Sequence, residues 1–278
     1  MECRACAKLN LYLDITGVLP DGYHQLRSVM QSITLWDHVE VHQAQEITLT
    51  VDKPYIPTDE RNTAYKAAKA FFAATGLEGG ANINIKKRIP VGAGMAGGSA
   101  DAAAVLNLLN IIYGLPLEQE QLREVAATVG ADVPFCLEGG TMLCEGKGEI
   151  LTPLPRLRRC GFLVVKPAFS VSTKAAYAMF DEMGGDCPPI EGMLDALRAR
   201  DISGICDAMG NDLERCIAAK HPEIDAIKQQ LLDAGAIGAM MTGSGSAVFG
   251  VFRDKESADR AYARLRGPKR LVYTAEPV

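Results

Sequence analysis

Residues 90–109 read PVGAGMAGGSADAAAVLNLL, a run of glycine and alanine that hands over to an apolar helix. Gly92, Gly94, Gly97 and Gly98 permit positive φ and let the backbone come close to a ligand. A helix starting at Ser99 offers unpaired N–H groups and the positive end of its dipole, which together suit an anion such as phosphate. The rival account is a tight strand-to-helix turn whose glycines serve packing alone, and a lone GxGxxG fits that account as well. The span from Pro90 to Asp101 is denser in small residues than packing requires, so phosphate binding is the expectation.

Several kinds of phosphate loop could occupy this stretch. Gly92-Ala-Gly94-Met-Ala-Gly97 satisfies the dinucleotide pattern, but the context does not. The preceding segment, Ile83-Asn-Ile-Lys-Lys-Arg-Ile89, alternates polar and apolar residues instead of reading as buried on both faces. After the helix ends near Tyr113 comes another helix, which leaves no second parallel strand for a ribose-binding acid. The Gly-Lys-Ser/Thr of a Walker loop is absent, and a protein-kinase loop would lead into a strand rather than an alanine-rich helix.

Outward from the loop, Val105, Leu108, Leu109 and Ile112 give the loop helix one apolar face, and Leu122, Val125, Ala126 and Val129 repeat the spacing up to Gly130. Glu118 and Glu120 sit in the first turn of that second helix, where the dipole favours them. Upstream, Ala7, Leu9, Leu11 and Leu13 alternate with Lys8, Asn10, Tyr12 and Asp14, which predicts a strand; taken alone, its polar face reads as solvated. Pro20-Asp21-Gly22 is a turn, Val39–Val41 and Ile47–Val51 read as strands, and a helix from Thr63 to Ala74 is entered through Asp59 and Asn62. The proline-bearing basic stretch Pro153–Arg159 reads as a linker. Beyond it the pattern predicts a strand at Phe162–Lys166, helices from Thr173 through Leu232, strands at Gly238–Met241 and Ala247–Phe252, a helix at Lys255–Leu265 and a last strand at Leu271–Thr274. Strands and helices interleave without a strict βαβ repeat, so the class is α+β.

Composition narrows the function further. A chain of 278 residues can bury roughly three quarters of its unfolded surface without a metal or disulfide staple. With 48% hydrophobic and 23% charged residues and a net charge of −5, it reads as an ordinary water-soluble protein with no basic stripe for nucleic acid and no membrane span. The N-terminus does not read as a signal peptide, so a cytoplasmic protein is expected. Of eight cysteines, only Cys3 and Cys6 form a CxxC, and nothing completes a zinc site; buried or half-buried thiols are the expectation.

The pattern Pro90-x-Gly-x-Gly-x-x-Gly-Gly-Ser-x-Asp101 resembles the phosphate loop of the GHMP kinase superfamily, small-molecule kinases of galactose, homoserine, mevalonate and phosphomevalonate. Ala7-Lys8-Leu9-Asn10-Leu11 resembles that superfamily's first motif, and Thr242-Gly-Ser-Gly-Ser-Ala247 its C-terminal glycine-rich motif. Together with Pro20-Asp-Gly-Tyr-His24 and Gly130-Ala-Asp132-Val-Pro-Phe135, the set is similar to the branch acting on 4-diphosphocytidyl-2-C-methyl-D-erythritol in the non-mevalonate isoprenoid pathway. The matches run from Ala7 to Phe252. The resemblance implies an α+β fold of two domains, a ribosomal-S5-like one over residues 1–155 and a ferredoxin-like one over 160–278. It implies transfer of the γ-phosphoryl group of ATP to the 2-hydroxyl of the methylerythritol moiety, with magnesium carried on the nucleotide and no metal ligand from the protein. The partner is then this small molecule, and a monomer or weak homodimer is expected.

The resemblance assigns roles residue by residue. Asp132 becomes the general base, although an aspartate before a proline-started helix is by itself an ordinary N-cap. Lys8 becomes the cation beside it, keeping the carboxylate ionised and stabilising the forming alkoxide. Pro90, Val91, Gly92, Ala93, Gly94, Met95, Ala96, Gly97, Gly98, Ser99 and Ala100 form the ATP loop, with Ser99 on phosphate or magnesium. Asn62 and Lys87 line the adenine pocket, for which an N-cap and a solvated lysine are equally good accounts. Asn10 holds substrate oxygens, His24 reads the cytosine edge, and Tyr23 and Tyr177 are the two aromatic walls. Ala93, Met95, Ala96 and Ala100 stand where Gly, Leu, Gly and Ser are frequent; Ala96 implies that negative φ is tolerated there. Other kinases of the superfamily are disfavoured by Pro20-Asp-Gly-Tyr-His24, and a nucleotide sensor without catalysis is disfavoured by the presence of both Lys8 and Asp132.

Overall fold

In the computed structural model, which describes Met1–Val278, the alternating N-terminus is strand β1 (Glu2–Val18) and the chain returns as β2 (His24–Ala44). Gly22, at φ 84°, makes the turn between them, and its N–H bonds to the Leu19 carbonyl at 2.9 Å. The solvated reading of the polar face of β1 is wrong: Lys8, Asn10 and Tyr12 are 4%, 1% and 1% exposed. Each has found a polar partner inside the protein, as a buried polar group must; the Tyr12 hydroxyl, for instance, donates to the Pro188 carbonyl at 2.7 Å.

The chain continues through β3 (Thr48–Val51), α1 (Thr63–Thr75), β4 (Gly80–Lys86), α2 (Gly97–Ile112), α3 (Gln119–Val129) and α4 (Val133–Glu138). Next come β5 (Thr141–Gly146), β6 (Ile150–Pro153), β7 (Gly161–Pro167), α5 (Thr173–Met183), α6 (Ile190–Ala199), α7 (Ile202–Asp207) and β8 (Gly210–Asn211). The last elements are α8 (Asp212–Lys220), α9 (Glu223–Asp233), β9 (Gly238–Met241), β10 (Val248–Phe252), α10 (Lys255–Leu265) and β11 (Arg270–Ala275). This is an α+β chain with a seven-stranded sheet, whose main path runs β3-β4-β2-β1-β8 with β5 and β6 attached to β2, and a four-stranded sheet ordered β11-β7-β10-β9.

By spatial proximity the residues gather into two compact units that interleave along the sequence. The first comprises Met1–Ala7, Trp36–Ile89 and Ala96–Gly139; the second comprises Lys8–Leu35, Pro90–Met95 and Gly140–Val278, and so draws on both sides of the Pro153–Arg159 stretch. In the second unit, β7 and β10 are buried along their whole lengths, between β11 on one side and β9 on the other. Helices α9 and α10 pack on this sheet, with Ile224, Ile227, Leu231, Ala258, Ala261 and Leu265 pointing inward. None of the eight cysteines is in a disulfide; four are buried and four half-buried.

In the first unit, α2 packs against α1, α3 and α4, and the run from Ala100 to Leu106 is buried. A charged cluster ties this helix to the strands. Lys87 Nζ donates to Asp37, to Asp101 Oδ2 at 2.5 Å and to the Gly97 carbonyl at 3.3 Å. The three side chains are 6%, 0% and 6% exposed for Lys87, Asp37 and Asp101. Asp37 Oδ1 also accepts the N–H groups of Arg88 (2.5 Å) and Ile89 (2.8 Å), whereas Asp101 Oδ1 is buried without a partner. Burial, with Asp37 adding to it against the pull of Lys87, pushes the Asp101 carboxyl up to about 8. Burial alone would pull Lys87 down, but Asp101 and Asp37 outweigh it and hold the ammonium above its ordinary value. The Lys87 ammonium is thus held between two carboxyl groups, of which burial keeps Asp101 from ionising readily.

Replacing Lys87 by Met strands the carboxyl groups and is expected to cost about 3–5 kcal/mol in chemical denaturation. Asp101→Asn, which removes a carboxyl whose ionisation burial opposes, is expected to cost less than about 2 kcal/mol. The folded-state value of Asp101 is raised, so its contribution is full below about pH 4, the unfolded value, and is lost as pH climbs to about 8. Unfolding curves between pH 5 and 8 should show wild type losing stability relative to Asp101→Asn as pH rises; parallel curves would refute the assignment.

Candidate active site

Within the second unit, the first-strand motif, the glycine loop and the C-terminal glycine-rich motif meet on one carbonyl. The Gly94 carbonyl accepts Lys8 Nζ at 3.0 Å and Thr242 Oγ1 at 3.3 Å. Lys8 Nζ also donates to Asn10 Oδ1, and the Lys8 backbone N–H reaches the Met95 carbonyl at 3.2 Å. Asn10 in turn donates from its amide to Ser28 Oγ at 2.8 Å and from its backbone to Thr242 Oγ1 at 3.0 Å. Both acceptors of Lys8 are neutral, and an ammonium has three donors, so one N–H and the charge are left for a ligand.

Glycine is required at Gly94 twice over. Its φ is 72°, and a Cβ there would stand 2.1 Å from the Thr242 carbonyl oxygen. Gly92, at φ 62°, passes so close to Ser170 that a Cβ would lie 2.9 Å from its side chain. The Pro90–Met95 half of the loop is held along its backbone, with the N–H groups of Ser246 and Ala247 on the carbonyls of Gly92 (3.4 Å) and Ala93 (3.3 Å).

The rest of the loop, in the first unit, departs from expectation in two ways. The helix begins at Gly97 and not Ser99, and Ala96 adopts φ 55° where a negative value was expected. A left-handed alanine costs about 1–2 kcal/mol; here it lets the Ala96 carbonyl accept the Ala100 N–H at 2.8 Å and start the helix earlier. As the N-cap, Ala96 has no side-chain acceptor, so the first-turn amides of Gly97, Gly98 and Ser99 have no intrahelical partner. Gly97 and Gly98 are helical and serve close packing: a Cβ would meet Ile89 Cγ2 at 3.0 Å and Thr63 Oγ1 at 2.9 Å respectively. The packing account of the glycine run holds at these two glycines. Ala100 is 2% exposed, so a hydroxyl there would face the interior rather than a ligand.

The two residues expected beside adenine have structural duties. Asn62 caps α1, accepting the Ala64 N–H at 2.9 Å and donating to the Pro57 carbonyl at 2.8 Å. Lys87 is not solvated; its ammonium is engaged by Asp37, Asp101 and Gly97. The cap account of Asp132 fails in the opposite sense. It occupies the N-cap position of α4, but its side chain makes no capping bond. Pro134, at the second helical position, has no N–H to give, and the αR backbone of Asp132 (φ −83°, ψ −9°) differs from the extended geometry typical of a capping residue. The carboxylate is half-buried and free of that role.

A second cluster in the second unit surrounds the Pro20–His24 turn. His24 Nε2 lies 2.7 Å from Asp181 Oδ1, and the imidazole stacks on Tyr177 with centroids 4.6 Å apart and planes 23° apart. Phe180 meets the same ring edge-on at 6.1 Å. Tyr177 thus covers one face of His24. Tyr23 is 60% exposed, and Lys147 Nζ sits 4.3 Å from its ring centroid while pairing with Asp21. Lys147, Asp181 and Phe180 escaped the reading of the sequence. Tyr177, Phe180 and Asp181 share one helix face at i, i+3 and i+4, and Gly146-Lys147-Gly148 marks a tight turn, so both clues were present.

No group of three or more His, Cys, Asp or Glu side chains is arranged to hold a metal ion.

Comparison with known proteins identifies the family. Residues 62–140 match the model of the GHMP kinases N terminal domain and residues 193–269 that of the GHMP kinases C terminal domain. The 4-diphosphocytidyl-2-C-methyl-D-erythritol kinase of Clostridium perfringens is 44% identical over 270 residues, covering 96% of this chain and 94% of that protein. Its counterpart from Gloeobacter violaceus is 42% identical over 273 residues, covering 96% and 90%. The crystal structure of a 4-(cytidine 5'-diphospho)-2C-methyl-D-erythritol kinase aligns with a TM-score of 0.82 at 35% identity over 99% of each chain. A homoserine kinase from Cytophaga hutchinsonii, at 21% identity, shares the fold with a TM-score of 0.76 over 99% of this chain and 95% of its own. The chain belongs to the 4-diphosphocytidyl-2-C-methyl-D-erythritol kinase family of the GHMP kinases.

Proposed function

We propose that the chain transfers the γ-phosphoryl group of ATP to the 2-hydroxyl of 4-diphosphocytidyl-2-C-methyl-D-erythritol. The observation that carries this reading is the open first turn of α2, where an alanine N-cap leaves the leading amides unspent at the end of a glycine loop. Those amides and the helix dipole suit a polyphosphate, and family membership names the nucleotide and the acceptor. Phosphoryl transfer asks a protein chiefly for positioning and charge stabilisation. In this reading the loop Pro90–Ala100 cradles the phosphates, and Ser99 lies against them. Magnesium bound with the nucleotide neutralises phosphate charge. Asp132, free of capping, accepts the proton of the acceptor hydroxyl, and Lys8, with its unspent charge, stabilises the alkoxide that forms. Asn10 orients Lys8 as well as substrate oxygens. Tyr23, His24 and Lys147 receive the cytidine, with Tyr177 and Asp181 fixing the imidazole. Domains at 1–155 and 160–278 remain our division, supported by the two family segments falling on either side of residues 155–160. A cytoplasmic location is part of the same reading.

Asp132→Asn is expected to lower kcat by roughly 10²- to 10⁴-fold while leaving the unfolding transition in place; turnover within a few-fold of wild type removes Asp132 from the role of base. His24→Ala should raise KM for the cytidyl substrate much more than for ATP, and an unchanged value puts the base elsewhere. The reading as a whole is tested by ADP release with 4-diphosphocytidyl-2-C-methyl-D-erythritol set against homoserine and mevalonate. Turnover of either competitor in its place overturns it.

A further inference from the structure

Lys166, at the end of β7, is 5% exposed and spends its three N–H donors within four residues. They reach the Pro167 carbonyl at 2.9 Å, the Phe169 carbonyl at 2.6 Å and Ser170 Oγ at 3.2 Å. None of these partners is charged. Burial pulls the ammonium below the ordinary lysine value, opposed by Glu223 in the first turn of α9. A buried cation on neutral acceptors is a costly way to fill space that an apolar chain could occupy. What it secures is a shape: the ammonium folds residues 167–170 back into a turn over the strand end.

That turn touches both glycine motifs of the second unit. The Phe169 carbonyl, already bonded to Lys166, also accepts Ser246 Oγ at 2.6 Å. Ser170 lies against the bare backbone of Gly92, with its Cβ and Oγ each 2.9 Å from where a side chain at that glycine would begin. Ser246 N–H in turn reaches the Gly92 carbonyl at 3.4 Å. Gly92 is thus held between Ser170 and Ser246, and both are set by the turn that Lys166 organises. The outer end of the turn is fixed by Phe169, which stacks on His221 with centroids 4.2 Å apart and planes 11° apart.

We propose that Lys166 is a positioning residue for the nucleotide: its ammonium holds the 167–170 turn as a brace that sets the phosphate loop at Gly92 and the C-terminal motif at Ser246. The inference rests on the reading of Pro90–Ala100 as the ATP loop. It separates the two substrates, because the cluster around Tyr23 and His24 has no bond to this turn among those described above.

The test is calorimetric titration of the intact protein with a non-hydrolysable ATP analogue and, separately, with 4-diphosphocytidyl-2-C-methyl-D-erythritol. In Lys166→Met the dissociation constant for the ATP analogue should rise about 10-fold while that for the cytidyl substrate stays within about 2-fold. Lys166→Arg, which keeps a charged donor, should recover most of the loss. Equal weakening for both ligands, or none for the analogue, overturns the proposal. If Lys166→Met does not fold, Ser246→Ala asks the same question by removing one hydroxyl from the Phe169 carbonyl. It should weaken the analogue about 3-fold and spare the cytidyl substrate; unchanged analogue binding overturns the proposal. Wild-type protein that binds no ATP analogue defeats the loop reading itself, whereas wild-type binding with an unaltered Lys166→Met defeats the brace alone.

Discussion

One carbonyl oxygen, that of Gly94, is where residues 8, 94 and 242 are made to agree. A lysine from the first strand and a threonine from the third motif both donate to it, and the threonine carbonyl comes so near Gly94 that no Cβ could be placed there. Three segments far apart in sequence are therefore registered by one hydrogen-bond acceptor and one missing side chain. The burial of the polar face of β1 follows from this: Lys8 and Asn10 cannot be in water and also in that network.

Three buried lysines show how the same side chain is put to different ends. Lys8 meets only neutral acceptors and keeps a donor in hand, which suits contact with a developing negative charge. Lys87 is saturated by two carboxyl groups and a carbonyl, and it anchors a helix. Lys166 is saturated by neutral acceptors and shapes a turn. What a buried ammonium does is decided by what has already claimed its three donors.

Much of this was legible in the residues. The alternation of β1, the loop helix, the capped entry at Asn62 and the α10 boundaries follow from local periodicity and caps, and the phosphate reading follows from small residues before a helix. What was not legible depends on distant partners. Nothing near Lys87 announces Asp37, fifty residues earlier on another strand. The left-handed Ala96 goes against the residue's own preference and is imposed by the helix that follows. Tyr177 could be recognised as an aromatic near the substrate end, but its stacking on His24 depends on how α5 meets the Pro20–His24 turn.

The burial of Asp101 has a bearing on the charge at the start of its own helix. Asp101 lies in the opening turns of α2, and a carboxylate there would set a negative charge behind the leading amides. With its carboxyl raised by burial, Asp101 adds less opposing charge to that end of the helix than a solvated aspartate would. The helix end stays electropositive because a side chain that could have opposed it has been denied water in which to ionise.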